Sequence, residues 1–82
     1  MKVLIISQST AKTALVKEEL RNNPQVTEIS VVDSYQKAKG RLEQRIALVD
    51  CIGNQLGVTE LKPLCQQMSI KYIMPEFEKV VA

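Results

Sequence analysis

The chain has 82 residues, enough for one domain with a modest core and too few for a second. Its 11 lysines and arginines stand against 9 aspartates and glutamates, a net charge of +2, and it has no histidine. That excludes histidine acid–base chemistry and histidine metal ligation, and gives no strong electrostatic pull toward nucleic acid or membrane.

Val3, Leu4, Ile5 and Ile6, in KVLIIS, form an unalternating apolar run. It is too short to span a bilayer or serve as a signal peptide, and reads as a strand apolar on both faces, the kind that parallel sheets bury under helices. Ser7, Gln8, Ser9 and Thr10 follow, and either Ser9 or Thr10 is placed to cap a helix from Ala11 to about Asn23, stopped by Pro24. Its expected apolar face is Ala11, Ala14, Leu15 and Leu20. Glu28 to Asp33, EISVVD, is rich in β-branched residues and reads as the second strand. Ser34 then caps a helix expected to run to Gln44, with Tyr35, Ala38 and Leu42 on one face and Gly40 inside it at a cost of about 1 kcal/mol.

The run Ile46, Ala47, Leu48 and Val49 ends abruptly in Asp50, with Gly53 and Gly57 in the polar loop beyond. A short run bounded by turn residues predicts a buried central strand, with the carboxylate at the end where open α/β sheets place their ligands. Leu61, Leu64, Cys65 and Met68 keep faultless helical spacing, and Pro63 suits a first turn, so a third helix should begin between Thr59 and Lys62. Ser69 to Met74, SIKYIM, is expected to be a fourth strand that Pro75 terminates. The reading is a single domain over residues 1–82, with 75–82 as an extension or partner-binding tail. Cys51 and Cys65 lack CxxC spacing and follow no secretory leader, which fits reduced thiols in the cytoplasm.

Alternation of four strands with three helices predicts a three-layer α/β fold with a parallel sheet of order 2-1-3-4 if the first helix and the later two cover opposite faces. The switch point then lies between the first and third strands. Ser7, Gln8, Ser9 and Thr10 would meet Asp50, Cys51 and Asn54 in one crevice there.

The succession KVLIIS, EISVVD, RIALVD and SIKYIM, with its helices, resembles the first four βα units of a bacterial response-regulator receiver domain of flavodoxin-like fold. The resemblance implies that Asp50, ending the third strand, matches the family's phosphoacceptor. The chain departs from the family at Ser7 and Gln8, where the family carries an acidic pair that holds magnesium, and at Met74, Pro75 and Glu76, where it ends its fourth strand in a hydroxyl residue. No fifth strand with its lysine follows, and Lys79 lies on the tail. One carboxylate with neutral partners holds a divalent cation weakly. What is implied is a degenerate receiver without a cofactor, without catalysis and without a small-molecule substrate. A strand-end aspartate also has a plainer use, satisfying loop N–H groups.

Two further motifs fall short of chemistry. Lys12-Thr13 after a strand has the ending of a P-loop, but Ile6 and Ala11 stand where its glycines would be. Lys37, Lys39, Arg41 and Arg45 make the second helix the most basic element and offer a nucleic-acid contact, although no aromatic residues interleave and a solvated face accounts for them. Cys65 reads as packing. The fourth strand, last in the sheet, is too apolar for a comfortable open edge, so Tyr72, Met74, Phe77 and Val80 are expected to bind a protein partner or a second copy. Binding without catalysis is the favoured expectation; phosphoryl acceptance at Asp50 and nucleic-acid binding through the basic helix are the alternatives.

Overall fold

The two apolar runs become neighbouring central strands in the computed structural model, which describes residues 1–53, 55 and 57–75. Its elements are β1 (Lys2–Ile6), α1 (Thr10–Arg21), β2 (Glu28–Val32), α2 (Tyr35–Lys39), β3 (Ala47–Asp50), a π-helical turn (Gly57–Leu61), α3 (Lys62–Gln67) and β4 (Lys71–Ile73). All four strands are parallel in the order β2-β1-β3-β4. The register sets Ile6 beside Val32 and Asp50, and Leu48 beside Tyr72.

Strand alternation sorts the core into two layers. Leu4, Ile6, Val32 and Leu48 face Ala38 of α2, Leu61 of the π-helical turn and Cys65 of α3. Val3, Ile5, Ala47 and Val49 face Val16 of α1. Each valine, leucine or isoleucine so enclosed contributes about 1.5–3 kcal/mol relative to exposure. The sheet therefore carries helices on both faces, as its unalternating runs predict.

Several local expectations are corrected. Of the two candidate caps it is Ser9 that caps α1, its hydroxyl accepting the Lys12 N–H at 3.3 Å. The buried residue of α1 is Val16, and Leu15 is 49% exposed. Branched Val16 outcompetes the small alanines because it fills the space over the sheet, which rotates Ala11, Ala14 and Leu15 outward.

The second helix does not reach Gln44. Ser34 caps it through the Lys37 N–H, and after Lys39 the backbone closes at Gly40, whose poor helical propensity ends the run. Leu42 still packs on the core beyond the helix. The fourth strand is shorter than Ser69–Met74. Ser69 has φ 58° and completes a Schellman motif behind α3, the Ile70 N–H donating to the Cys65 carbonyl at 2.8 Å. Met74 lies past the strand and is 47% exposed. Asn54, Glu76, Phe77, Lys79 and Val80, and the expected tail beyond Pro75, lie outside the described residues. Among the described residues no helix is long and apolar enough to cross a membrane.

Candidate functional site

Asp50 is the last residue of β3 and 1% exposed, a position where an unsatisfied carboxylate would be very costly. It is fully engaged. Oδ1 accepts the backbone N–H groups of Ile52 at 3.0 Å and Gly53 at 3.1 Å. The Tyr35 hydroxyl donates across both oxygens, 3.1 Å from Oδ1 and 3.0 Å from Oδ2, and the Tyr72 hydroxyl donates to Oδ2. The chain has two tyrosines, and both serve this one carboxylate.

Each donor is delivered by a local feature. Gly53 turns the loop with φ 68°, which folds the strand-end backbone over the carboxylate as an Asx-type turn. Tyr35 is the first residue of α2 behind the Ser34 cap. Tyr72 lies beside Leu48 in the parallel register, two residues before Asp50 on the same sheet face, so its ring extends along that face to the strand end. Gly57, opening the π-helical turn, closes the assembly. A Cβ there would lie 2.7 Å from the Tyr72 hydroxyl and 2.9 Å from Tyr35 Cε1, and would also meet the Asp50 carboxylate. Burial, followed by the hydrogen bond to Asp50, raises the Tyr72 pKa far above its ordinary value, so this hydroxyl stays protonated and donating.

Ser7 to Thr10 continue from the end of β1, which lies beside the end of β3. Ser7 Oγ donates to the Ser9 carbonyl at 3.0 Å and accepts the Ser9 N–H at 3.2 Å. Gln8 Nε2 reaches the Asp33 carbonyl at 3.1 Å. With Thr10, Thr13, Lys17 and Asp33 these residues line an open groove of 380 Å³ whose lining includes neither Asp50 nor Cys51. Asp50 shares the α2 side of the sheet with Ile6, whereas Cys51 packs on the α1 side with Val49. The Cys51 thiol is pushed up by burial and then by the Asp50 charge, with Lys12 opposing; burial alone raises Cys65. Neither thiol is activated as a nucleophile.

The basic cluster is divided. Lys37 pairs with Asp33 at 2.9 Å, holding that carboxyl below its usual range, and Lys39 pairs with Glu60 at 2.6 Å. Arg41 and Arg45 lie beyond the end of α2, Arg45 with φ 66° at the approach to β3. Only Lys37 and Lys39 of the four expected cations therefore belong to the second helix. Tyr72 is half-buried against the core, and Met74 is the exposed apolar residue beside β4.

Sequence reasoning reaches Asp50 and its loop N–H donors but not its two tyrosine partners. Tyr35 is read as a core anchor and Tyr72 as a partner contact, while Gly57 passes as an ordinary loop glycine. The signal for them was positional: Tyr72 has the parity of the Asp50 face, and Tyr35 starts the helix packed on that face. Comparison with protein-family models, curated proteins and solved structures returned no significant match.

Proposed function

We propose that the chain is a degenerate, receiver-like unit of flavodoxin type that works by binding a protein, another copy of itself included, and not by catalysis. The saturated state of Asp50 supports this reading. A carboxylate attacking a phosphodonor needs an open approach and a partner for the charge that develops. Here Tyr35, Tyr72 and two loop N–H groups occupy both oxygens, and the carboxylate holds α2, β3 and β4 together. With the strand-end carboxylate committed to the fold, function falls to the surface. The edges of the sheet are its least protected parts, with Met74 beside β4 and Val31 on β2 as exposed apolar groups.

Incubation of the intact chain with a small phosphodonor and magnesium tests the reading by mass spectrometry. The expected result is no mass increase. Phosphorylation that disappears in Asp50→Asn would overturn it. Salt-dependent retention on DNA would instead favour nucleic-acid binding through the divided basic cluster.

A further inference from the structure

We propose that the open edge of β2 is a self-complementary docking strand, on which a second copy of this chain pairs antiparallel to extend the sheet across both molecules. The inference rests on the protein-binding reading above and names its partner and its surface. The strand order leaves two edges, β2 and β4, and they differ. β4 has three residues, carries exposed Lys71 and is followed by Met74 and then Pro75; a short strand, a lysine and a proline are ordinary ways of blunting an edge. β2 has five residues in continuous register with β1 and contains neither proline nor lysine. Its Val31 is 38% exposed.

Symmetry then fixes what would pair. A two-fold axis normal to the sheet sets two copies of one edge antiparallel and keeps each face on its own side. Centred on Ser30, such a pairing places Ile29 opposite Val31 of the second copy on the α1 side. Exposed Val31 is thereby covered by another β-branched residue, a favourable cross-strand pair. On the α2 side, Glu28 comes opposite Val32 of the second copy.

Charge supports that register. Val32 lines a surface groove of 450 Å³ together with Asp33, Lys37, Gly40 and Arg41. Asp33 and Lys37 neutralise one another at 2.9 Å, which leaves the groove the charge of Arg41. Among the described residues no carboxylate lies within ion-pair distance of the Arg41 guanidinium, and Glu28 and Glu43 of the same chain line the adjoining pocket with it. The groove exists because α2 ends at Lys39, so that Gly40 and Arg41 border it where a further helical turn would have stood. Glu28 has an exposed side chain and only a 3.5 Å contact with Lys2, so its carboxylate can reach the groove of a second copy. The two-fold axis makes that contact twice.

Sedimentation equilibrium of the full chain over a concentration series tests the proposal. The wild type is expected to show a monomer–dimer equilibrium, and Val31→Lys to weaken it about tenfold or more without changing the circular dichroism. Glu28→Arg and Arg41→Glu should each weaken it, and their combination should restore it to within about threefold of wild type. A chain that stays monomeric throughout overturns the proposal, while binding to other proteins remains open to test. A dimer insensitive to all these changes but dissolved by Met74→Lys overturns the β2 assignment and leaves self-association standing.

Discussion

Against the α2 and α3 side of the sheet lie Ala38, Leu61 and Cys65, all fully buried, whereas α1 supplies Val16 as its one buried side chain. The first side also holds the buried carboxylate with its two tyrosines and the glycine that admits them; the second, among the described residues, buries no charge. Both keep water from the same strands, but by different physics. The apolar side can lose a methyl group and relax, at a cost that grows with the cavity left. On the polar side four donors converge on one carboxylate, and removing a member leaves buried groups unsatisfied.

Substitutions should expose this contrast. Gly57→Ala drives a methyl group against three members of the Asp50 assembly and is expected to cost about 3 kcal/mol or more in urea denaturation. A near-neutral result would mean that the assembly is loose. Tyr72→Phe removes a hydrogen bond to a charged acceptor and should cost about 2 kcal/mol.

Tyr72 also ties stability to pH. Its hydroxyl remains protonated in the folded chain beyond the ordinary pKa of 10.0, and the buried thiols likewise beyond 9.0, so the unfolded chain gives up protons first. This contribution is complete below those ordinary values and is lost as pH rises from them toward the raised folded values, so the denaturation midpoint should fall steadily from about pH 9 upward and more steeply above about pH 10. Tyr72→Phe should make that fall shallower; an unchanged slope would place the alkaline loss elsewhere. On the α1 side, Val16→Ala should cost about 1.5 kcal/mol. If it costs as much as Gly57→Ala, the distinction between the two sides collapses. Leu15→Gln, on the exposed flank of α1, should change stability by less than about 0.5 kcal/mol. A larger loss would show that Leu15 is covered in solution, which sedimentation of the same variant would detect.

The same contrast explains what could be read from residues alone. The faultless spacing of Leu61, Leu64, Cys65 and Met68 announced α3 because a helix covering a core must repeat its apolar groups. The strand runs announced a sheet buried on both faces in the same way. α1 was located but its face was not, since several of its residues are small or apolar and only packing decides that Val16 turns inward. The early end of α2 depended on Gly40, whose cost was visible but whose power to end the helix depended on the turn that follows. Asp50 was visible as an end-of-strand carboxylate. Its use in satisfying loop N–H groups was visible too, but its tyrosine partners were not, because they lie 15 and 22 residues away in the chain. No local pattern encodes a meeting of that kind.

Those separations bear on how the chain reaches its folded state. The Asp50 carboxylate can enter the interior at low cost only once β4 has brought Tyr72 to it, although β1 and β3 could pair earlier. A partly assembled sheet would hold a half-solvated charge at its centre, which raises the energy of intermediates relative to the finished fold. The tyrosine pair thus acts as a check on completion, making docking of the last described strand part of one cooperative step.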